Sequence, residues 1–312
     1  MNNLSHNASN ATYLIKLDQY DLIAVNGEDA LDFLHNQFTN DLKKLPNNMS
    51  SITSWCSVKG RVLYTLRIWP TAEGYLLLLP KNQTESFLKK LKMFVFRSKV
   101  TITVLEEQHV FGIFGHQADD VLSIEAELVE NQVLLSDDQI IIKLPAPTSR
   151  YLLISSNRSP SFATSLVEES TKIDQWNLLD IETGLVEIQP ETADLFLPQM
   201  LDLERLGGLS FQKGCYPGQE IVARVKYRGE VKKQLYRAQI TSHENISAGT
   251  SLIHSTDNKE QVSGHIVNAV QSENPDQQSA LVVINIKEAE LANITVKDQP
   301  NATCSIQPLS EI

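Results

Sequence analysis

Cys215 lies in the stretch of this chain whose residues are best suited to chemistry, FQKGCYPGQE at residues 211–220. Gly214 and Gly218 allow backbone conformations and close approaches that other residues resist, and Pro217 prevents a helix from continuing through the stretch. Cys215 is therefore predicted to lie on a sharp turn. The residue types leave two interpretations open, a reactive thiol and a small buried apolar side chain.

A helix is predicted to follow this turn, because residues 219–227 (QEIVARVKY) have helical spacing. The helix would place the thiol near a helix N-terminus with Lys213 close by, and both features favour the thiolate. Glu220 and Arg224 stand four residues apart, in the order that favours an ion pair along a helix. The motif residues are Lys213, Gly214, Cys215, Tyr216, Gly218, Gln219 and Glu220.

Positive charge is concentrated in residues 213–237, whereas the whole chain has a net charge of −11. Seven basic residues stand against two acidic ones in this segment, which gives it a local net charge of +5. The segment is interpreted either as a solvated surface or as a site for the anionic tail of a ligand. The acidic balance of the whole chain argues against a simple high-affinity binder of nucleic acid.

The other residues that could bind metals or act as nucleophiles are scattered. Cys56 and Cys304 fall in predicted strands and are expected to pack in the core. The sequence contains no Cys-x-x-Cys, no histidine pair at metal-binding spacing and no Gly-x-Ser-x-Gly, so no metal site and no serine triad are predicted. Three widely spaced cysteines, no leader pattern and no run of about 20 apolar residues predict a cytoplasmic protein without a membrane span.

The order of predicted elements indicates an α+β fold. Residues 1–12 lack periodicity and are predicted to form a disordered tail. The strand-glycine-helix pattern of VNGEDALDFL recurs 88 residues later as IFGHQADDVL, with Gly27 matching Gly115 and Ala30 matching Ala118. The recurrence is interpreted as coincidence or as a duplication, which would give two packed ferredoxin-like α+β subdomains at about 13–108 and 109–229.

After residue 229 the pattern changes to short strands separated by polar turns, which predicts a small C-terminal β-barrel over residues 230–312. Two helices are predicted before the cysteine motif, over residues 160–169 and about 173–184. Gly184 is expected to end the second of these helices.

The segment FQKGCYPGQEIVARVKYRGEVKKQLYR resembles the signature of the YgfZ family of folate-binding, tRNA-modifying proteins, which is related to the T-protein of the glycine cleavage system. Four further segments are similar to that family: GEDALDFLHNQFTNDL, CSVKGRVLYTLRIW, FVFRSKVTI and WNLLDIETGLVEIQPETADLFLPQMLDLERLGGLSF. The resemblance covers most of residues 13–240. It implies the folate-binding fold of the T-protein, with tetrahydrofolate or a derivative in a central channel, followed by a β-barrel.

The resemblance also assigns roles to individual residues. Trp176 matches one folate-contacting tryptophan of the family, and Tyr20 stands where the family has another, so it keeps an aromatic face but loses the indole donor. Glu220 is expected either to bind pterin nitrogens or to hold Arg224. The candidates for binding the glutamyl tail of a folate are Arg224, Lys226 and Arg228.

One departure from the T-protein bears on the reaction. Where the T-protein has its catalytic aspartate, this chain has Tyr64 or Thr65, and neither side chain is a carboxylate. Aminomethyl transfer is therefore not expected. The resemblance implies an accessory factor that supports assembly or repair of iron–sulfur enzymes such as the tRNA methylthiotransferases, with Cys215 acting on the partner and without direct tRNA binding. A folate-dependent one-carbon transferase is the alternative.

Overall fold

The structure, a computed structural model, describes residues 11–124, 127–136, 138–158, 167–168, 172–256, 259–272, 274–291, 294–299 and 301–309. No helix in these ranges is both long and apolar enough to cross a bilayer. The elements in chain order are β1 (Thr12–Lys16), β2 (Tyr20–Asn26), α1 (Ala30–His35), β3 (Ser51–Cys56), β4 (Val62–Pro70), β5 (Gly74–Pro80), α2 (Lys81–Lys92), β6 (Thr101–Val104), β7 (His109–Gly115), α3 (Ala118–Val121), β8 (Val133–Leu135), β9 (Gln139–Lys143), β10 (Arg150–Ser155), β11 (Val167–Glu168), α4 (Ile173–Thr183), α5 (Gln219–Arg228), β12 (Lys233–Thr241), β13 (Ser251–Thr256), β14 (Lys259–Gln271), β15 (Gln277–Asn285), β16 (Ile294–Val296) and β17 (Thr303–Gln307).

The first sheet is antiparallel, with its five strands in the order β3-β4-β5-β2-β6. Its strand β5 reads GYLLLLP, a continuous apolar run, because both faces of the sheet are covered. Leu77 packs on one face with Phe33 of α1 and Phe87 of α2. Leu76 and Leu78 pack on the other face, in a cluster shared with the second sheet and α4.

The second sheet has the order β11-β1-β7-β10-β9-β8. Its strand β1 comes from the start of the chain and pairs with β7 in antiparallel register, Thr12 opposite Gly115. Two predictions are corrected by this pairing. Thr12, the last residue of the predicted tail, is buried in a strand. Residues 12–16 belong to the second sheet, so a boundary at residue 108 does not divide the chain into two contiguous subdomains.

Gly27 and Gly115 end β2 and β7 in the same way. Their φ angles are 131° and 127°, and a Cβ on either glycine would lie within 2.4 Å of a backbone carbonyl oxygen on a neighbouring segment. Ala30 and Ala118, three residues farther on, are both buried. The pattern repeated in the sequence is thus repeated in the structure, which favours duplication over coincidence.

Six strands in the order β16-β13-β14-β15-β12-β17 form a nearly closed C-terminal barrel. The predicted α+β fold with a terminal barrel is confirmed. Most of the helix predicted over residues 160–169 lies outside the described residues, and Val167 and Glu168 form β11. The second predicted helix is α4, which ends at Gly184 with a φ of 70°.

Helix α4 packs on the second sheet through Trp176. The indole is 1% exposed, and it lies against Gly112 in the middle of β7. A Cβ on Gly112 would lie 2.6 Å from two ring atoms of Trp176, so the absence of a side chain at residue 112 is what allows this contact.

Gly112→Ala should therefore lower the free energy of unfolding by about 1–3 kcal/mol, because the large buried ring cannot move aside freely. Urea denaturation measures this change. Gly214→Ala is the matched control and should change it by less than about 0.5 kcal/mol, since the nearest atom to its added Cβ is His35 Nε2 at 3.9 Å. Equal effects of the two substitutions would contradict the assigned contact.

Candidate functional site

The buried side chains of Lys213 and Tyr216 anchor the cysteine loop, residues 211–218. The Lys213 ammonium is buried and donates hydrogen bonds to the backbone carbonyls of His35 and Phe38, just after α1. Burial lowers the pKa of Lys213 to about 8. Tyr216 is also buried, in the apolar cluster that joins the first sheet to the barrel. The two residues flanking the Gly214–Cys215 pair are therefore anchors.

Two glycines allow the loop to lie directly on the turn between β3 and β4. Gly218 and Gly60 have φ angles of 80° and 72°. A Cβ on Gly218 would lie 2.4 Å from the Ser57 carbonyl oxygen and 2.5 Å from the Gly60 Cα. Gln219 Nε2 donates to the Lys213 carbonyl at 3.2 Å, which closes the loop at the start of α5. The predicted turn followed by a helix is thus observed.

Cys215 is exposed, whereas Cys56 is buried and Cys304 is partly buried. Burial raises the pKa of both Cys56 and Cys304 to about 12, so these thiols stay protonated at neutral pH. All three cysteines are among the described residues, and Cys215 is the one that solvent or a partner can reach.

His35 is a neighbour of the loop that sequence analysis missed. It is buried, with Nε2 facing Gly214 and Nδ1 3.6 Å from the Asp41 carboxylate. Burial, reinforced by the charge of Lys213, lowers the pKa of His35, so the ring is neutral at neutral pH. No sequence spacing could have indicated this contact, because α1 and the loop lie far apart in the chain.

The other residues that the sequence analysis assigned to ligand binding lie in two parts of the structure. Glu220, Arg224 and Arg228 are exposed on α5, and in the part of the chain that the structure describes Glu220 and Arg224 do not form the predicted ion pair. Lys226 pairs with Glu204 at 2.7 Å. Tyr20 and Trp176, in contrast, lie together inside the molecule.

Tyr20 and Trp176 line a cavity of about 70 Å³ between the two sheets, called here the central cavity. A larger ligand would extend into two adjoining cavities: one of about 160 Å³ shares Tyr20, Asp180 and Glu187 and reaches the barrel, and one of about 690 Å³ shares Ile52, Arg67 and Leu185. The polar residues of the central cavity are Tyr20, Thr65, Arg67, Arg150, Asp180 and Glu187, and its other lining residues, apart from Trp176, are Ile52, Leu66, Leu78, Pro80, Leu144, Leu152, Leu185 and Val186.

Arg150 packs on the Trp176 ring in the wall of this cavity. Its fully buried guanidinium lies 3.8 Å from the centre of the indole ring, and Nη1 pairs with Asp180 Oδ1 at 2.8 Å. Arg150 thus covers one face of the indole, and Gly112 contacts its six-membered ring. Folate contact by Trp176 stays a prediction.

Tyr20 donates its hydroxyl proton to Glu187 Oε2 at 2.7 Å, and Gln189 Nε2 donates to Oε1 at 2.6 Å. Burial, reinforced by the charge of Asp180, raises the pKa of Glu187 to about 7. Burial and the charges of Glu187 and Asp180 raise the pKa of Tyr20 well above its usual value. Glu187 can therefore gain or lose a proton near neutral pH while Tyr20 remains a donor.

Glu187 is held in an extended segment by the barrel and by β4. The Asn268 side chain accepts from the Glu187 amide at 3.0 Å and donates to its carbonyl at 2.7 Å. The Thr65 hydroxyl accepts from the amide of Ile188 at 2.9 Å. Thr65 lines the cavity, whereas Tyr64 packs among aromatic rings of the outer core. Of the two residues expected from the resemblance at the aspartate position of the T-protein, Thr65 is thus the one at the cavity, and its side chain is a hydroxyl.

No family model matches the chain. The tRNA-modifying protein YgfZ of Escherichia coli O157:H7 is 30% identical over 303 residues, which cover 95% of this chain and 92% of that protein. The chain belongs to the YgfZ family. The YgfZ protein of Yersinia enterocolitica is 29% identical over 302 residues, with 95% and 91% covered.

Among solved structures, the glycine cleavage system aminomethyltransferase T of Bartonella henselae superposes on this YgfZ-family chain with a TM-score of 0.76. The two are 16% identical, and the match covers 97% of this chain and 86% of that structure. The fold predicted from the YgfZ resemblance is confirmed.

Four charged residues of the central cavity were not predicted from sequence: Arg67, Arg150, Asp180 and Glu187. A signal existed for the two arginines, since each stands in or beside an apolar strand sequence, and arginine is rarely buried there unless it is paired. Asp180 and Glu187 sit on either side of the end of α4 and follow no pattern that separates them from surface carboxylates.

Replacing Glu187 tests its raised pKa. The folded protein binds more protons than the unfolded chain between about pH 4.5, the ordinary pKa, and about pH 7, so ionisation of Glu187 lowers stability as pH rises through this window. Glu187→Gln should therefore gain stability relative to the native protein by about 1–3 kcal/mol from pH ~5 to pH ~8. Urea denaturation at several pH values measures this. Glu191→Gln, at an exposed position, should show no such trend, and parallel curves for Glu187→Gln and the native protein would refute the assignment.

Proposed function

We propose that this chain is a folate-binding accessory factor that supports assembly or repair of iron–sulfur enzymes and, through them, tRNA modification. The observation that carries the proposal is the central cavity, which combines partly buried carboxylates, a phenol and an indole within the fold of an aminomethyltransferase. Membership in a family of tRNA-modifying proteins supports the cellular role. Tetrahydrofolate or a derivative is the proposed ligand.

The chemistry of the cavity suits a pterin. The 2-amino group and N3–H of a pterin form an edge of donors, which matches a carboxylate acceptor such as Glu187. A groove lined by Lys226 and Tyr227 of α5 shares Asn131 and Leu206 with the cavity of about 690 Å³. A glutamyl tail could follow this route from the central cavity towards the basic surface of α5, where Arg224 and Arg228 are exposed.

Tetrahydrofolate should bind the native protein, and Glu187→Gln should weaken binding about ten- to a hundredfold, because hydrogen bonds to a charged group contribute about 1.5–3 kcal/mol. Anaerobic isothermal titration calorimetry measures both affinities, with Glu191→Gln as the control that keeps native affinity. Trp176→Phe should weaken binding by a smaller factor. It is preferable to Trp176→Ala, which would cost about 3–5 kcal/mol of stability by leaving a void. Negligible binding by the native protein would remove folate from the proposal.

Cys215 is proposed to act on the partner enzyme, either as a thiolate ligand to a cluster or by exchange, in which the thiolate attacks a persulfide or disulfide of the partner and displaces the partner's thiolate. Its exposure between two buried anchors, Lys213 and Tyr216, supports this role, because the loop presents the sulfur without depending on it for packing. No second cysteine shares the loop. The chemistry therefore needs a group supplied by the partner.

Cys215→Ala should abolish function in cells while leaving tetrahydrofolate affinity unchanged and the free energy of unfolding within about 0.5 kcal/mol of native. The measurement is the level of methylthiolated nucleosides in tRNA from a strain whose own copy of the gene is deleted. Cys304→Ala is the matched control and should restore the modification. Full restoration by Cys215→Ala would eliminate the thiol from the mechanism.

A folate-dependent one-carbon transferase is the second candidate. The aminomethyltransferase fold favours it, as does a carboxyl in the cavity, Glu187, that can exchange a proton near neutral pH. Thr65 at the aspartate position counts against it. Turnover of methylene- or methyl-tetrahydrofolate by the purified protein, lost in Glu187→Gln, would decide for this candidate over the accessory role.

A further inference from the structure

Arg67 is a buried guanidinium on the wall of the central cavity whose hydrogen bonding is incomplete. It lies on β4, is 4% exposed, and lines both the central cavity and the cavity of about 690 Å³. Nη1 donates to Ser50 Oγ at 2.8 Å and to Asn131 Oδ1 at 2.7 Å. Nη2 is buried, and no residue in the described ranges accepts a hydrogen bond from it.

Among the residues that the structure describes, no carboxylate forms an ion pair with Arg67. Both acceptors of Nη1 are neutral, and the carboxylate of Asp180 pairs with Arg150. Leaving a buried donor unsatisfied destabilises a protein, and leaving a buried charge unpaired destabilises it more. A bound molecule with an acceptor at this position of the cavity wall would complete the hydrogen bonding of Nη2. Because a guanidinium has donors only, the missing group is an oxygen or nitrogen acceptor.

Arg67 and Glu187 both line the central cavity. Glu187 also lines the cavity of about 160 Å³ that reaches the barrel, whereas Arg67 also lines the cavity of about 690 Å³. A ligand in the central cavity can therefore meet both an acceptor and a donor in its wall. The 4-oxo pterin ring of a folate offers groups to both, because its 2-amino group and N3–H are donors and its 4-oxo oxygen, next to N3 on the same edge of the ring, is an acceptor. A 4-amino pterin would instead present a donor to Arg67.

We propose that Arg67 donates to the 4-oxo group of the bound pterin and makes this chain select 4-oxo over 4-amino folates. The inference rests on the proposed folate site and adds the residue that determines which pterin that site accepts. The 4-amino form is expected to bind more weakly, because its amino group and the Arg67 guanidinium are both donors and would face each other away from water. Sites that hydrogen-bond one group of a substrate bind an analogue that lacks this group much more weakly.

The test compares tetrahydrofolate with its 4-amino counterpart, tetrahydroaminopterin, by anaerobic calorimetry. The native protein should prefer tetrahydrofolate by about tenfold or more. Arg67→Gln should weaken tetrahydrofolate binding and reduce the preference, since an amide can donate to an oxo group or accept from an amino group. Part of the preference should remain, because the 4-amino ring lacks the N3 proton that faces Glu187. Arg205→Gln is the control that keeps the native preference. Arg205 lines the neighbouring cavity, but its Nε and Nη2 donate to Asp202 and to the Thr183 carbonyl.

Two results would overturn the inference alone: equal affinity of the native protein for both ligands, or an Arg67→Gln variant that loses affinity for tetrahydrofolate but not for tetrahydropteroate, which has no glutamyl tail. The second result would assign Arg67 to the tail. If neither ligand binds the native protein, the proposed function fails and the inference fails with it. Equal affinity of the native protein for the two ligands overturns the inference even if Arg67→Gln does not fold.

Discussion

Arg150 carries a positive charge into the interior of the protein, where its side chain is 0% exposed. Removing an ion from water costs several kcal/mol, and attraction to a partner offsets that cost only when the geometry is good. Asp180 at 2.8 Å supplies the opposite charge, the Trp176 carbonyl accepts a hydrogen bond at 3.2 Å, and the Trp176 ring lies against the guanidinium. Because Arg150 belongs to β10 and its partners belong to α4, the contacts that stabilise the charge also fix the helix on the second sheet.

The position of Asp180 links this ion pair to the chemistry of the cavity. Its charge acts on Glu187 as well as on Arg150, and it adds to the effect of burial in raising the pKa of Glu187. Docking of α4 and ionisation of Glu187 are therefore coupled through one carboxylate. Asn268 adds a second constraint, since it holds the backbone of Glu187 from the barrel. The cavity is thus shaped by both sheets and by the C-terminal barrel together.

Local features of the structure could be predicted from sequence, and long-range ones could not. The turn at Cys215 and the start of α5 follow from Gly218, Pro217 and the helical spacing after them. The placement of β1 in the second sheet does not, because an apolar strand pattern says nothing about which strand it pairs with. Tyr20 and Trp176 could be named only through a family resemblance. Arg67 and Glu187 lie far apart in the chain, and only the fold brings them to one cavity.

Strand β4 contributes both to the wall of the central cavity and to the support of the cysteine loop. β4 follows the turn on which Gly218 rests, and it carries Thr65 and Arg67 to the cavity wall. From Val62 to Arg67 the strand spans roughly 16 Å, at about 3.3 Å per residue. Arg67 is therefore well removed along β4 from the turn that supports the cysteine loop. Under the proposed function, this strand connects the wall of the folate site to the loop that presents Cys215 to another protein.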